Sequence, residues 1–178
     1  LDQLVALQGR PQGGDGRLSD AVAADLQGGV QRLTEAAQMP FLRSDALYRG
    51  FVGGRGAGKS WVGAYDLLRR ATRNHTYLVA SPTGVLLQDT TFPTLKALAQ
   101  DLGVWGPVTV ERVQEVVLTP TGESTVKLTP YPTVTLTTGA TIWFRTAEDP
   151  ERLRGPNLSG VWLDEASLMD VEAFNVSI

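Results

Sequence analysis

The hydrophobic and polar positions of the chain follow two periods, and each period predicts a different element. Apolar residues recur every three or four positions after a glycine-rich stretch and predict one helix face; they are Trp61, Ala64, Tyr65 and Leu68. A second helix is predicted to begin near Pro93, which suits a first helical turn, and to stop at Gly103. From 108 to 146 apolar and polar residues alternate around a turn at Thr138-Gly139, which predicts antiparallel strands.

Three short apolar runs predict further strands that alternate with these helices. Tyr48–Val52 is rich in aromatic and β-branched side chains and suits a buried strand, and Thr76–Ala80 has the same character. Val161–Leu163 is short and wholly apolar, as expected of a strand that is buried on both faces. Because strands that alternate with helices indicate the α/β class, we predict a mainly parallel sheet flanked by helices, with added antiparallel strands.

The beginning of the chain has a different character from this core. Residues 9–16 contain a proline and four glycines and are typical of a linker. Ser19 is a suitable N-cap for a helix that runs to about Gln38. We therefore divide the chain into an N-terminal helical segment and linker, residues 1–45, and a core, residues 46–178. The chain begins without methionine and stops inside an apparent helix, so we expect it to be a piece of a longer protein.

The composition excludes several classes of function. The chain has 178 residues, of which 42% are hydrophobic and 20% charged, as in one soluble globular domain. With no cysteine and one histidine, disulfides and a Cys/His zinc site are excluded. The net charge of −3 does not favour strong DNA binding by the chain alone. No apolar run approaches the roughly 20 residues that are needed to span a bilayer.

The octet Gly53–Ser60, G-G-R-G-A-G-K-S, carries the clearest chemical signal. It has the spacing G-x-x-x-x-G-K-[ST], in which backbone N–H groups wrap the phosphates of a nucleotide. Lys59 would reach the β- and γ-phosphates, and the Ser60 hydroxyl would bind Mg²⁺. Glycine suits such a loop because it adopts positive φ without strain, and the following helix directs its dipole at the anion. The predicted ATP-binding residues are Gly53, Gly54, Arg55, Gly56, Ala57, Gly58, Lys59 and Ser60.

A second motif, Asp164-Glu165, follows the apolar run Val161–Leu163. Carboxylates at the C-terminal end of a buried strand lie where ligands bind in open α/β sheets. Asp164 is a candidate Mg²⁺ ligand, and Glu165 a candidate general base for an attacking water. With the octet, this pair predicts a RecA-like P-loop NTPase of the type that carries its own glutamate base (ASCE type), with ATP and Mg²⁺ as cofactors. Arg55, Arg152 and Arg154 are candidates for the arginine that stabilises the transferring phosphoryl group.

Four segments of the chain together resemble one known family. They are G-G-R-G-A-G-K-S, V-A-S-P-T, F-R-T-A-E-D-P-E-R-L-R-G and V-W-L-D-E-A-S. In this combination, which covers about residues 48–167, the chain resembles the ATPase domain of tailed-bacteriophage terminase large subunits. The arginine within the glycine-rich octet and the L-R-G that precedes D-E-A are the most specific marks of the resemblance.

The resemblance implies an ATP-driven motor that moves double-stranded DNA through the portal protein into a procapsid. It implies a location in the cytoplasm of the infected bacterium and no membrane partner. It implies a small terminase subunit as a partner and a homo-oligomeric ring on the portal. Lys59, Ser60, Asp164 and Glu165 would take the roles given above. Arg154 would reach into a neighbouring subunit's site. Arg55 would have a sensing role or would stabilise charge in the site of its own subunit.

The resemblance also sets limits on what this chain is expected to do. In the family a coupling motif and a C-terminal nuclease domain follow the strand that carries the acidic pair, and this chain ends soon after Glu165. We therefore expect the isolated chain to be a monomer that binds ATP, hydrolyses it weakly and does not cleave DNA.

Two other functions stay open from the sequence. A P-loop helicase or DNA-repair ATPase would share the octet and the acidic pair, but it would need a second RecA-like domain. The arginine in the octet and the L-R-G spacing favour the terminase hypothesis over the helicase or repair ATPase. A nucleotide-binding assembly module that does not hydrolyse ATP is the other alternative, and the presence of Glu165 disfavours it.

Overall fold

The computed structural model describes residues 3–8, 38–118, 124–154 and 157–177. Within them, seven strands form one sheet in the order β2-β1-β7-β3-β6-β5-β4. The strands are β1 (Gln3–Gln8), β2 (Tyr48–Gly53), β3 (Thr76–Ser81), β4 (Val108–Leu118), β5 (Ser124–Thr135), β6 (Thr141–Thr146) and β7 (Gly160–Leu163). The α-helices are α1 (Gln38–Arg43), α2 (Lys59–Arg70), α3 (Gly84–Leu86), α4 (Phe92–Asp101) and α5 (Val171–Ser177). A π-helical turn, Leu87–Thr91, joins α3 to α4, and 3₁₀ turns lie at Pro150–Leu153 and Ala166–Leu168.

The α/β class is confirmed, but the sheet is mixed and not mainly parallel. Parallel pairing is confined to the centre, where β3 lies between β6 and β7. β1 is antiparallel to β2 and β7, and β5 is antiparallel to β4 and β6, which confirms the predicted antiparallel addition. Since β2, β3, β6 and β7 all point the same way, their C-terminal ends lie along one edge of the sheet. The short connections between β4, β5 and β6 allow only antiparallel neighbours, because a parallel pair needs a long crossover.

The N-terminal segment contributes a strand where the sequence predicted helix and linker. Residues 3–8 form β1, which lies between β2 and β7. A short apolar run does not by itself distinguish a strand from a helix, and its pairing partners here lie far along the chain. The predicted linker at 9–16 and most of the helix predicted from Ser19 lie outside the described residues. The division at residue 45 stays a prediction.

The strand β2 forms as predicted, but it is only half-buried. It lies at the edge of the sheet, so Arg49 and Phe51 face the core while Tyr48 and Val52 are exposed. The strand β7, by contrast, is buried at every position, as its apolar sequence predicts.

Helices cover both faces of the sheet, and each face has its own core. The larger core packs α2 and α4 on the sheet through side chains that include Val62, Leu68, Leu95, Val79, Ile142, Phe144 and Trp162. The smaller core on the other face contains Leu78, Ala80, Leu153, Val161, Leu163 and Ala173. The predicted apolar face of α2 is confirmed at Ala64, Tyr65 and Leu68, which are buried, while the half-buried Trp61 stacks on Tyr65.

A buried ion cluster fixes β2 and α1 against α2. The Asp66 carboxylate accepts two hydrogen bonds from Arg49, at 3.0 and 2.7 Å. Arg69 and Arg70, one helical turn further on, pair with the same carboxylate. Their guanidinium groups also donate to the backbone carbonyls of Leu42 and Ser44, at the end of α1. The cluster thereby ties together β2 and α2, the two elements that flank the glycine-rich loop.

The helix α2 approaches β7 closely at Gly63, and we expect alanine there to destabilise the fold. A Cβ at this position would lie 2.5 Å from Nε1 of Trp162, whose side chain is fully buried. Overpacking of this kind costs about 1–3 kcal/mol, against a gain of roughly 1 kcal/mol from the better helix propensity of alanine. Urea unfolding of Gly63→Ala should therefore show a lower free energy of unfolding than the parent chain.

Gly84→Ala is the matched control, because Gly84 also lies in a helix but its added Cβ would have no atom within 4 Å apart from its own helix backbone and chain neighbours. We expect its free energy of unfolding to be unchanged or slightly higher. A Gly63→Ala chain as stable as Gly84→Ala would contradict the close packing of α2 on Trp162.

Candidate functional site

A glycine-rich loop, residues 54–58, joins β2 to α2 in the arrangement that the sequence predicted. Gly56 and Gly58 have φ of 81° and 74°, a conformation that strains residues with a Cβ. A Cβ on Gly58 would also lie 2.6 Å from Nε2 of Gln38. The loop closes on itself through a hydrogen bond of 3.2 Å from the N–H of Ala57 to the carbonyl of Gly54. Its conformation therefore requires glycine at two of the four positions where the octet has one.

The positive groups at the start of α2 converge on this loop. Lys59 is only 6% exposed, and its Nζ donates to the carbonyl oxygen of Gly54 at 3.0 Å. The N–H of Val62 donates to the carbonyl of Gly58, while the N–H groups of the preceding helical turn have no acceptor within the helix. The ammonium group and the positive end of the helix dipole thus act on the same small region, which suits an anion.

The Asp164 carboxylate, at the C-terminal end of β7, faces the start of α2. It is 1% exposed, and its Oδ1 accepts a hydrogen bond of 3.0 Å from the Ser60 hydroxyl. Its Oδ2 accepts a second bond, of 2.8 Å, from the Thr91 hydroxyl. Burial raises the pKa of Asp164, although these two hydrogen bonds and the charge of Lys59 act in the opposite direction. The structure thus brings the two sequence motifs into direct contact.

The neighbouring residue, Glu165, has an unusual backbone and an unsatisfied side chain. Its φ of 57° lies in the left-handed region, which is uncommon for a residue with a long side chain. Its Oε2 is buried without a hydrogen-bond partner among the described residues. Burial, and then the negative charge of Asp164, raise the pKa of Glu165, whereas Lys59 lowers it. Backbone strain and an unpaired buried carboxylate are costly and are typical of functional positions.

The residues around Ser60 fit one kind of metal site. In the part of the chain that the structure describes, no group of three or more His, Cys, Asp or Glu side chains could hold a metal ion by itself. Mg²⁺, however, usually keeps several waters and binds through one or two carboxylates together with substrate phosphates. A hydroxyl and a buried carboxylate that already share a hydrogen bond, beside a loop whose positive groups suit an anion, fit Mg²⁺ in that mode.

Of the three candidate arginines, two are exposed and Arg152 is half-buried. Arg55 is exposed in the glycine-rich loop. Arg154 has a side chain that is 62% exposed, and its Nε lies 2.7 Å from a carboxylate oxygen of Glu151. Arg152 forms a similar pair with Asp149. The partner that the structure shows for Arg154 is Glu151, not Asp164 or Glu165. The roles of Arg55, Arg152 and Arg154 stay predictions.

Sequence reasoning missed two residues that contact the site, Thr91 and Ser81. Thr91 donates to Asp164, and the Ser81 and Thr91 hydroxyl oxygens lie 2.6 Å apart. The position of Ser81 could have been predicted, because it is the last residue of β3. This strand is parallel to its neighbour β7, so the C-terminal ends of both lie at the same edge of the sheet. No local signal pointed to Thr91, since its position depends on the π-helical turn before α4.

A comparison with protein-family models matches residues 51–175 to the N-terminal part of the terminase large subunit, T4likevirus-type. The chain belongs to this family. The match covers more than half of the chain and includes the glycine-rich loop and the Asp164-Glu165 pair, so the predicted resemblance to terminases is confirmed. No curated protein and no solved structure matches the chain. In the described part of this terminase chain, no helix has the length and apolar character to cross a membrane.

Proposed function

We propose that this chain is the ATPase domain of a terminase that hydrolyses ATP to move double-stranded DNA into a procapsid. The observation that carries the proposal is the 3.0 Å hydrogen bond between Ser60 and Asp164. It joins the residue that follows the loop lysine to the carboxylate at the end of β7, although 104 positions separate them. A RecA-like P-loop NTPase needs these two groups side by side, and membership of the terminase family supplies the biological context.

The proposed binding site assigns one task to each group around the loop. Backbone N–H groups of residues 53–60 bind the phosphates of ATP, and the Lys59 ammonium binds the β- and γ-phosphates. Ser60 and Asp164 hold Mg²⁺, which when bound neutralises charge on the phosphate oxygens. The present hydrogen bond from Lys59 to Gly54 shows that its side chain already extends across the loop, so little reorganisation is needed.

Glu165 is the proposed general base. It accepts a proton from the water that attacks the γ-phosphorus, while the P–O bond to the ADP leaving group breaks. The unpaired Oε2 supports this role, because no protein donor competes for the oxygen that would accept the proton. The raised pKa also supports it, since a carboxylate that is partly buried next to a negative charge binds a proton more strongly than one in water.

Arg154 is proposed to act on the site of a neighbouring subunit in a ring. Its pair with Glu151 is exposed at both ends, and exposed pairs contribute little to stability. The guanidinium group can therefore leave Glu151 for a phosphate at low cost. Arg55, in the loop itself, is proposed to act in its own subunit.

The proposed partners follow from the packaging function. They are double-stranded DNA, the portal protein, the small terminase subunit and further copies of the chain, in the cytoplasm of an infected bacterium. The net charge of −3 supports contact with DNA that depends on assembly and not on this chain alone.

The proposal is tested by ATP turnover with and without assembly. We expect slow phosphate release from the chain alone and about tenfold or faster release in a ring on procapsids with DNA, since an arginine supplied in trans is worth even more than this. Arg154→Ala should remove the increase but leave the slow turnover of the isolated chain unchanged. Arg152→Ala is the comparison, because Arg152 is the other candidate on this turn and also pairs with a carboxylate three residues earlier. Loss of the increase in Arg152→Ala but not in Arg154→Ala would assign the role to Arg152 instead.

Two results would count against parts of the proposal, the first against the packaging function and the second against the role of Arg154. Strand separation by the chain, without any packaging, would indicate a helicase. Full stimulation in the Arg154→Ala ring would contradict the trans role of Arg154 while leaving the ATPase assignment in place.

A further inference from the structure

Both oxygens of the Asp164 carboxylate are held, and by different parts of the fold. Ser60, at the start of α2, donates to Oδ1, and Thr91, before α4, donates to Oδ2. Thr91 is 1% exposed, and its hydroxyl oxygen lies 2.6 Å from that of Ser81, which is fully buried. The proposed ATPase site accounts for Ser60, but it gives no task to Thr91 or Ser81.

The direction of these hydrogen bonds follows from the number of protons available. An ionised carboxylate only accepts, so the single hydroxyl proton of Thr91 is used for Asp164. The short contact to Ser81 must then use the Ser81 proton, with the Thr91 oxygen as acceptor. The result is a chain of donors from Ser81 to Thr91 to Asp164. Donor chains of this kind polarise one another, so each bond in them is strengthened.

The backbone at Thr91 is held firmly in place. Thr91 is the last residue of the π-helical turn Leu87–Thr91, a rare conformation that is frequent at functional sites. Leu87 is 3% exposed, and the ring of Phe92 packs edge-on against Phe144, with centroids 5.0 Å apart. The residues at both ends of the turn are therefore anchored in the core, which leaves the Thr91 hydroxyl little freedom.

We propose that Thr91 is a positioning residue, whose hydroxyl, oriented by Ser81, occupies Oδ2 of Asp164 and so keeps Oδ1 directed at Ser60. The inference rests on the proposed function, because it assumes that Oδ1 and Ser60 share a divalent metal ion with ATP. A carboxylate held by one donor only can rotate about its Cβ–Cγ bond. Loss of an outer partner of this kind typically lowers metal affinity about 10–100-fold.

The test compares Thr91→Val, which keeps the shape and loses the hydroxyl, with Thr91→Ser, which keeps the hydroxyl. The measured quantities are the affinity of the chain for a non-hydrolysable ATP analogue without metal, by calorimetry, and the affinity of that complex for Mn²⁺, by electron paramagnetic resonance. We expect Thr91→Val to bind the analogue without metal as the parent does and to bind Mn²⁺ about 10–100-fold more weakly. Thr91→Ser should restore most of the Mn²⁺ affinity.

A Thr91→Val chain with parental Mn²⁺ affinity would overturn the inference. Equal losses in Thr91→Val and Thr91→Ser would also overturn it, because Thr91→Ser keeps the hydroxyl and the loss could then not be assigned to that group. Ser81→Ala provides a second test if Thr91→Val does not fold, and it should weaken Mn²⁺ binding in the same direction. If the parent chain itself bound neither the analogue nor Mn²⁺, the proposed function would fail together with the inference. Normal binding by the parent separates the two failures.

Discussion

Replacement of Glu165 with glutamine is expected to slow ATP hydrolysis about 10²–10⁴-fold, the range in which a general base contributes, and to leave ATP binding intact. Glutamine has nearly the shape of glutamate, but its amide does not accept a proton from water at neutral pH. Glu165 lies next to Asp164 with a buried, unpaired oxygen and does not contribute to the glycine-rich loop. The loss should therefore appear in kcat and not in the affinity for ATP. Phosphate release by the assembled motor measures the former and calorimetry the latter.

Glu172→Gln is the control for this experiment, because Glu172 is exposed on α5 and loses the same charge on substitution. We expect it to hydrolyse ATP at the parental rate. Unchanged phosphate release from Glu165→Gln would refute the assignment of Glu165 as the base. If the parent chain bound ATP but never hydrolysed it, even in the assembled ring, a nucleotide-binding assembly module would be the better description.

Replacement of Lys59 with alanine is expected to weaken Mg·ATP binding about 10²-fold or more, since removal of one partner of a buried charged contact costs several kcal/mol. Lys59 is almost fully buried and its ammonium already lies across the loop. Alanine leaves the loop glycines and the helix dipole in place but removes the buried positive charge beside them. Calorimetry should give micromolar to millimolar affinity for the parent and no measurable heat for the variant.

Lys96→Ala controls for the change in net charge, because Lys96 is exposed on α4. It should bind Mg·ATP like the parent. The melting temperature of Lys59→Ala should also be measured, because a folded variant is needed before loss of binding can be assigned to the site. Parental affinity in folded Lys59→Ala would mean that ATP, if it binds, does not use this loop.

The parts of the site that the sequence predicted are those determined by local pattern. The backbone conformation of the glycine-rich loop could be predicted from the octet, because the two residues that adopt positive φ, Gly56 and Gly58, are glycines. The wholly apolar run before Asp164 predicts a buried strand for the same local reason. The contact between Ser60 and Asp164 then follows, because strands of the same direction bring their C-terminal ends to one edge of the sheet.

The features of the fold and the site that the sequence did not predict depend on contacts between residues that are distant in sequence. The pairing of β1 between β2 and β7 places β2 at the edge, and no local feature of Tyr48–Val52 distinguishes an edge strand from a central one. The inward position of Thr91 depends on a π-helical turn, for which the sequence pattern has no recognised signal. The left-handed backbone of Glu165 is likewise determined by its surroundings, since a glutamate disfavours it.

The candidate arginines illustrate a third limit. The sequence nominates Arg55 and Arg154, and the structure places both on the surface. An arginine that acts on a neighbouring subunit has its acceptor outside its own chain, so neither its sequence nor its exposure identifies it. Functional comparison of Arg154→Ala with Arg152→Ala in the assembled ring is needed for this assignment.

The most direct test of the proposed site is a crystal structure of the chain with Mn²⁺ and a non-hydrolysable ATP analogue. Mn²⁺ replaces Mg²⁺ in such sites, and its anomalous scattering locates it without ambiguity. We predict phosphates enclosed by residues 54–58, with Lys59 on the terminal phosphates and the metal ion next to Ser60 and Asp164. A nucleotide bound elsewhere on the chain, or a metal ion that contacts neither residue, would contradict the proposed site.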